Sequence, residues 1–438
     1  MKIFLMFFIL ICPMASVSAQ CEKGPDISET GKVVKTLFTT QKESSETGLA
    51  IKASAARTSW QKKGSEAAVL SVFINGIYNQ DVILFAGEQS FDYRVVLGEL
   101  KAGRYEITLH LNKERSAPNA NDVRIESAAI FSAKFGDTRE KIAVANSPII
   151  YARPNAVDKF SDIPLLTYYE ILSSEANTFK IRYTTIFTNE DGGTQTTALM
   201  ARWGRTTDIE WVNELTYKHG QLVSETYQGP NHEAKIFTGT RTLGSHPLIY
   251  TVTQNNNFSD AGCSSLRTAP FPIRAQLSKK SRESVMDENP WTYRIMAEEA
   301  YREGRIDPNN LGVDTINDLR NYLYVEVYAK NNSSAIAVEA KTMDGETSRS
   351  DFGDEKLRVS RSGYQRIAVG FPSTGSVLHS LSLYCHSTNG EEKLANCTNA
   401  QIVSFIKLDQ KFAPRKRYAP SSDARTLKPF KKVVWLLR

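Results

Sequence analysis

The sequence predicts a mostly β protein of three modules: β-sandwich domains of jelly-roll or Ig-like type in tandem, one intervening α-helix and a basic C-terminal tail. Short runs of β-branched and aromatic residues recur between turn residues, which is typical of sandwiches. One run, Val69–Ile74, leads into Asn75-Gly76, the strongest short hairpin signal. The helix is predicted between Asn289, which can cap its first turn, and Gly304, which suits its end.

The length of 438 residues requires several domains, because single cores seldom serve more than about 200 residues. Changes in composition and in strand pattern give the boundaries. The predicted divisions are a signal peptide at 1–19, a lead-in at 20–48, a first sandwich at 49–134, a connector at 135–163, a central sandwich at 164–277, a helical linker at 278–320, a third sandwich at 321–410 and the basic tail at 411–438.

The N-terminus has the features of a cleavable export signal. Lys2 is followed by the apolar run Ile3–Cys12, and small residues precede a cleavage site after Ala19. The run is shorter than the roughly 20 residues that span a bilayer, and no later segment approaches that length. We therefore predict export to the periplasm or the extracellular space, with no transmembrane segment in the mature chain. Lipidation at Cys21 is the alternative fate of the N-terminus.

Four cysteines remain after removal of the signal, and an even number in an exported chain favours disulfides. Cys385 and Cys397 flank a polar segment that looks like a hairpin loop, so we predict that they pair. Cys21 and Cys263 are then the remaining pair, with two free thiols as the alternative. No two cysteines have C-x-x-C spacing, so nothing indicates a zinc knuckle or a thioredoxin-type site.

The charge is mildly basic, at +6 overall, and does not indicate a nucleic-acid partner. It is concentrated in the tail, 411–438, which has nine Lys or Arg residues, three prolines and one acid, Asp423. This density predicts a salt-sensitive peripheral contact with anionic lipid or with an acidic envelope polymer. The alternative is that the last residues, around Val433–Leu437, form an edge strand on a neighbouring sandwich.

The segment Arg202–Tyr217 carries the densest mixture of aromatic, acidic and basic residues in the chain. Read as one extended strand, it places Asp208 and Glu210 on the same face, with Cα atoms about 6.6–6.8 Å apart. Such a pair can hold a hard cation or a polar ligand, and it can equally be the solvated face of an ordinary strand. The residues predicted to share the opposite face are Ile209, Trp211, Leu215 and Tyr217.

Polar loops of the central sandwich supply further candidates, because binding residues concentrate in loops on a rigid scaffold. The predicted ligand-binding residues are Arg202, Trp203, Arg205, Asp208, Glu210 and His232. Three of them, Asp208, Glu210 and His232, are the predicted ligands of a possible divalent cation. Other polar residues expected at the same end of the sandwich are Asp191, Glu233, His246 and Asp260. No catalytic signature was found: His232-Glu233 lacks the second histidine of H-E-x-x-H, and there is no G-x-S-x-G or phosphate-binding loop.

The order T-D-I-E-W-V at 207–212, Q-G-P-N-H at 228–232 and G-S-H-P at 244–247 resembles two related families. They are the vacuolar-sorting-like family and the necrosis-inducing cytolysins, both β-sandwich proteins; the cytolysins bind a divalent cation and a plant membrane glycolipid. The resemblance implies that Asp208 and Glu210 match the D-x-E and His232 the later histidine. Arg205, Thr207 and Ile209 depart from the cytolysin pattern. The whole chain also resembles an uncharacterised family of exported bacterial proteins.

These observations favour a non-enzymatic, exported binding protein that recognises a glycan or another polar surface ligand through the loops of the central sandwich. The first alternative is a metal-assisted hydrolase centred on Asp208, Glu210 and His232. The second alternative is a structural component of the cell envelope.

Overall fold

The computed structural model describes residues 31–40, 44–153, 163–175, 177–190, 192–372, 375–388, 395–415, 418–419, 424–429 and 431–436. The prediction of a mostly β chain built from sandwich modules is confirmed: antiparallel sheets dominate, with a few short helices among them. The predicted signal peptide and Cys21 lie outside the described residues. Within them, no helix is both long and apolar enough to cross a membrane.

The first sandwich consists of a four-stranded sheet of order β1-β6-β3-β4 and a three-stranded sheet of order β5-β2-β7. Side chains from both sheets interdigitate in one core that includes Ile51, Val72 and Leu109. The strands are β1 (Gly31–Thr40), β2 (Ser44–Ala56), β3 (Val69–Ile74), β4 (Ile77–Ile83), β5 (Phe91–Leu100), β6 (Gly103–Leu111) and β7 (Asp122–Ser132).

The predicted hairpin at Asn75-Gly76 joins β3 to β4. Both residues have positive φ, 51° and 79°, as a two-residue hairpin turn between twisted strands requires. The predicted lead-in is not separate from this module. Its residues form β1 and most of the first half of β2, which pairs with both β5 and β7, so the first sandwich begins before residue 49.

The central sandwich has a six-stranded sheet of order β13-β12-β11-β10-β9-β18 and a smaller sheet of order β14-β15-β8-β17, with β16 beside β15. Its strands are β8 (Ile149–Tyr151), β9 (Pro164–Glu175), β10 (Thr178–Phe187), β11 (Asp208–Lys218), β12 (Gln221–Gln228), β13 (Ala234–Ile236), β14 (Arg241–Thr242), β15 (His246–Thr251), β16 (Phe258–Ser259), β17 (Arg267–Thr268) and β18 (Ile273–Arg274). Strand β8 comes from the predicted connector and pairs in parallel with β15, so the connector belongs to the central module.

The third sandwich consists of sheets of order β22-β19-β24-β25 and β21-β20-β23-β26. Its strands are β19 (Tyr322–Asn332), β20 (Ser334–Thr342), β21 (Thr347–Arg349), β22 (Gly363–Gly370), β23 (Leu378–Ser387), β24 (Asn396–Ile406), β25 (Arg425–Leu427) and β26 (Lys432–Leu436). Strand β25 pairs with β24, and β26 pairs with β23. The tail therefore adds an edge strand to each sheet, and the module extends beyond the predicted boundary at residue 410.

The predicted disulfide between Cys385 and Cys397 is present, with the two Cα atoms 6.0 Å apart and both residues fully buried. It joins β23 to β24, which lie in different sheets, so the intervening segment is not the predicted hairpin and the bond fastens the two layers of the sandwich. Cys263 is also disulfide-bonded. Its predicted partner, Cys21, is outside the described residues.

Four helices occur among the described residues: α1 (Thr138–Ala145), α2 (Thr196–Trp203), α3 (Ser284–Glu288) and α4 (Trp291–Arg302). Helix α4 is the predicted one, and Gly304 follows it with a left-handed φ of 69°. Asn289 does not cap it, because α3 ends immediately before it and the Asn289 amide donates to the Val285 carbonyl at 2.9 Å. One core cluster, which includes Ile295 and Met296 of α4, continues into all three sandwiches.

Candidate functional site

The candidate site lies at one end of the central sandwich, where β11 begins. Asp208 and Glu210 stand opposite Phe187 and Thr185 of β10. Val212, two residues further along the same face, packs in the core between the two sheets of the module. By strand alternation, both carboxylates therefore point between the sheets, near the mouth of the sandwich.

A β-bulge changes the face of the strand after this point. Tyr183 pairs with Asn213 and Thr184 pairs with Trp211, which leaves Val212 as the extra residue. The predicted grouping of Trp211 with Leu215 and Tyr217 was wrong for this reason: the extra residue moves the last two to the inner face. A strict period of two cannot anticipate a bulge.

Arg202 and Trp203 do not belong to the strand. They end α2, and Gly204 closes that helix in the left-handed conformation, with a φ of 63° and an N–H bond to the Met200 carbonyl at 2.9 Å. A Cβ atom at Gly204 would stand 2.7 Å from the Arg366 side chain, so glycine is needed for packing as well as for its φ. The extended interpretation of residues 202–207 is therefore corrected to a helix end and a turn.

The two carboxylates have different environments. Asp208 is 1% exposed, accepts a hydrogen bond from the Asn256 amide at 3.1 Å and lies 3.8 Å from the Arg205 guanidinium. Burial, together with the negative charges of Glu210 and Glu190, raises the pKa of Asp208 well above its ordinary value. Asp208 is thus a buried group with a raised pKa, and its carboxyl is shielded from solvent.

Glu210 lies nearer the opening, with 11% of its side chain exposed. Although burial opposes ionisation, the hydrogen bond with His232 and the charge of Arg282 lower the pKa of Glu210 below its ordinary value. Gln228 also donates its amide to this carboxylate. Glu210 is therefore the ionised member of the pair and the one that an incoming ligand can reach.

His232 stands above Glu210 at the rim, with its Nδ1 atom 3.7 Å from Glu210 Oε2 and 54% of its side chain exposed. Both Asn231 and His232 have a left-handed backbone, with φ near 62° and 61°, a conformation that non-glycine residues adopt only when surroundings fix it. The imidazole lies within hydrogen-bond distance of three amide nitrogens: Gln228 at 2.7 Å, Asn257 at 3.3 Å and Asn255 at 3.4 Å. The ionic contact with Glu210 raises the pKa of His232.

The buried amides of Gln228 and Asn257, beside Glu210, form what we call the floor of the site. Their oxygens, Gln228 Oε1 and Asn257 Oδ1, have no hydrogen-bond donor among the described residues. Both residues are at least 99% buried. Buried acceptors are normally satisfied, so this part of the site is incomplete in its hydrogen bonding. Since both oxygens are buried, the acceptor that solvent reaches in this part of the site is the Glu210 carboxylate, which can accept from hydroxyl or ammonium donors.

On the other side of the carboxylates is a group of guanidiniums. The Arg205 Nε atom lies 3.2 Å from Glu283 Oε1, and the Arg282 Nε atom lies 3.5 Å from the same oxygen. Trp203 contacts two cations, with Arg202 and Arg361 guanidinium carbons 4.5 and 4.7 Å from its ring centroid. The ring thus packs against cations of its own chain.

The six predicted ligand-binding residues lie along this one end of the module, with Arg202 and Trp203 at one side and His232 at the other. His246 does not: it begins β15 and is fully buried, with Nε2 3.1 Å from Glu46 Oε2 of β2 in the first sandwich. Asp260 binds Thr238 and Tyr227, Glu233 is exposed, and Asp191 is outside the described residues. The first sandwich removes His246 from the site, because it supplies Glu46 as the partner of the imidazole.

Sequence reasoning missed Gln228, Arg282 and Arg361 as individual site residues. Gln228 lies in a loop that its composition had marked as polar, so that signal was available. Arg282 and Arg361 are far from β11 in sequence and carry no local motif, so only the tertiary structure brings Arg282 near Glu210 and Arg361 to Trp203.

Asp208, Glu210 and His232 are the predicted ligands of a divalent cation, and their arrangement shows whether they can act together. Among the residues that the structure describes, no group of three or more His, Cys, Asp or Glu side chains is arranged to hold a metal ion. Asp208 is instead bonded to Asn256, while Glu210 is engaged by Gln228 and His232.

Comparison with known proteins gives local similarities only. No family model and no curated protein matches the chain. Among solved structures, the C-terminal domain of the sugar-binding protein EclA is 19% identical, with 27% of this chain and 84% of that chain covered and a TM-score of 0.19. The CBM36-1 domain of a multidomain xylanase from the hindgut metagenome of Trinervitermes trinervoides is 17% identical, with 26% and 94% covered and a TM-score of 0.18. A ruminal GH26 endo-β-1,4-mannanase is 10% identical, with 33% of this chain and 27% of that chain covered and a TM-score of 0.18.

Proposed function

We propose that this is an exported, non-enzymatic binding protein that recognises a glycan at the mouth of the central sandwich. The observation that carries the proposal is the ionised, reachable carboxylate of Glu210 within a floor of buried amides. The buried oxygens Gln228 Oε1 and Asn257 Oδ1 lack a donor among the described residues, so the amides beside Glu210 have unused hydrogen-bonding capacity. Sugar hydroxyls supply such donors in pairs, and charged acceptors bind them more strongly than neutral ones.

The loops support the same function because they are held firmly. Asn256 bonds both Asp208 and the Asn189 carbonyl, so the 253–257 loop is tied to β11 and to the 189–190 loop. A loop fixed before binding loses little conformational entropy when the ligand arrives. The raised pKa of Asp208, which is caused by burial and by the charges of Glu210 and Glu190, disfavours a second negative charge beside Glu210.

The test compares wild type with Glu210→Gln on an array of neutral and acidic oligosaccharides. Glu214→Gln is the matched control, because Glu214 is on the outer face of the same strand, 2.8 Å from both Lys180 and Arg182. Loss of one charge-assisted hydrogen bond costs about 1.5–3 kcal/mol, so we expect Glu210→Gln to weaken binding roughly 10- to 100-fold. Equal binding by both variants, or binding of no saccharide by wild type, would refute the proposal.

Hydrolysis assisted by a divalent cation at Asp208, Glu210 and His232 is the second candidate. The observation that favours it is the division of pKa values between the two carboxylates, which is typical of acid–base sites. Calorimetry with calcium, magnesium, manganese and zinc, on wild type and on Asp208→Ala/Glu210→Ala, separates it from simple glycan binding. Cation-dependent release of reducing sugar that is lost in the double variant would establish it.

Export and a peripheral contact of the tail are further parts of the proposal. The Cys385–Cys397 disulfide supports an oxidising compartment, the periplasm or the extracellular space. Among the described basic residues of 411–438, Arg425 lies on the edge strand β25 and Lys428 follows it, and Arg425 is exposed, which is compatible with contact to an acidic polymer or to anionic lipid.

A further inference from the structure

Four arginines form a strip beside the Glu210–His232 floor. Arg202 ends α2, Arg205 follows the α2 cap, Arg282 precedes α3, and Arg361 comes from the third sandwich just before β22. We call these four residues the arginine strip. The strip begins at the glycan floor, because the charge of Arg282 acts on both Glu210 and His232.

The four cations of the strip are balanced unevenly by the carboxyl groups around them. Glu283 is shared between Arg205 and Arg282, at 3.2 and 3.5 Å. Although burial opposes it, the charges of these two arginines lower the pKa of Glu283, so it is ionised. Burial and acidic neighbours raise the pKa of Asp208, and burial raises that of Glu190, the acid whose charge acts on Arg202. Of the four carboxyl groups around the four guanidiniums, only Glu283 and Glu210 have lowered pKa values.

Two members of the strip, Arg361 and Arg282, are partly open to solvent. Arg361 is exposed as a residue, although its guanidinium packs against the Trp203 ring, and it uses one Nη2 hydrogen bond, to the Arg202 carbonyl at 2.8 Å. Arg282 is 32% exposed, and its one ion-pair contact among the described residues is with Glu283. A guanidinium has five N–H donors, so most remain available. Contact with the Trp203 ring holds the Arg202 and Arg361 groups in place.

Arg361 has several cationic neighbours, and they affect its pKa. Burial and the neighbouring cations of the strip lower its pKa to about 10. An anion placed among these groups would relieve their mutual repulsion, and it would meet planar donors suited to two-point recognition of carboxylate or sulfate.

We propose that the arginine strip binds an oxyanion, a carboxylate or a sulfate, carried by the saccharide whose hydroxyls occupy the Glu210 floor. The ligand class is then an acidic saccharide, and this assignment rests on the proposed glycan-binding function. The floor and the strip bind different parts of the ligand. The amides and Glu210 bind neutral hydroxyls, and the arginine strip, to which the third sandwich contributes Arg361, binds the charged substituent.

The experiment follows NMR chemical-shift changes, at constant ionic strength, during titration with sodium sulfate, sodium glucuronate and glucose. The variants are Arg282→Gln and Arg361→Gln, with Arg124→Gln, an exposed arginine on β7, as the matched control. We expect sulfate and glucuronate to bind the wild type and the control, glucuronate more tightly than glucose, and both anions about tenfold more weakly in each strip variant, which corresponds to ~1.4 kcal/mol. Circular dichroism verifies that each variant is folded.

The outcomes separate this inference from the proposed function. If glucose and glucuronate bind equally and the strip variants change neither, the inference is overturned while glycan binding stands. If sulfate binds through the arginines but neither the sugars nor the oligosaccharide array shows binding, the proposed function fails, and the acidic-saccharide assignment fails with it. A preference of sulfate over glucuronate, or the reverse, identifies the substituent.

Discussion

Replacing Arg366 by methionine is expected to loosen the third sandwich from the helical segment beside it. Arg366 on β22 is 2% exposed, and its Nε donates to Glu326 Oε2 at 3.0 Å directly across the sheet on β19. Its Nη2 donates to Asp287 Oδ2 of α3 at 2.7 Å. The Arg366 guanidinium therefore connects β19 and β22 of the third sandwich to α3 of the helical linker.

The magnitude follows from what the substitution leaves behind. Methionine retains most of the packing volume but leaves Glu326, which is fully buried, without its cation. The Ser281 hydroxyl still donates to Glu326 at 2.8 Å, yet a neutral donor cannot balance a buried charge. Removing one partner of a buried ion pair costs about 3–5 kcal/mol, which corresponds to a roughly 100- to 4000-fold larger opening equilibrium.

Hydrogen exchange measured by mass spectrometry tests this on peptides that cover β19 and β22, because local opening sets their exchange rate. Arg124→Gln serves as the control for loss of an exposed arginine. The double variant Arg366→Met/Glu326→Gln should recover part of the protection, since the unbalanced charge is gone. An acceleration below about fivefold, or ~1 kcal/mol, in Arg366→Met would refute the reasoning.

Two further predictions concern the disulfide and the site. Cys385→Ser/Cys397→Ser should lower the stability of the third sandwich by about 3 kcal/mol, because the bond closes a loop with a sequence separation of 12; an unchanged thermal transition would contradict this. His232 should titrate above 6.5 in wild type and lower in Glu210→Gln, because the ionic contact with Glu210 favours the imidazolium. The contribution of the His232–Glu210 contact to the free energy of unfolding is therefore fully present below pH 6.5. It is lost as the pH rises through the raised pKa of His232. A wild-type pKa at or below 6.5 in an NMR titration would disprove the contact.

The sequence by itself determined the elements whose signals are local. Alternating β-branched and aromatic runs predicted the sandwich strands, Asn75-Gly76 predicted a hairpin, and the segment ending at Gly304 predicted α4. The even number of cysteines, with Cys385 and Cys397 flanking a short polar segment, predicted the bond between them, although not that it would join two sheets. In each case the signal lies within a short stretch of sequence.

Only the tertiary structure decided the features that depend on distant partners. The bulge at Val212 reassigned the face of half a strand, because it depends on the register with β10. The predicted lead-in and tail became paired strands because neighbouring sheet edges offered unpaired backbone groups. Arg282 and Arg361 lie at the site because the helical linker and the third sandwich pack against the central sandwich. The same packing lowers the pKa of Glu210 and raises that of Asp208. Burial and neighbouring charge set a pKa, and the spacing of two residues on a strand does not.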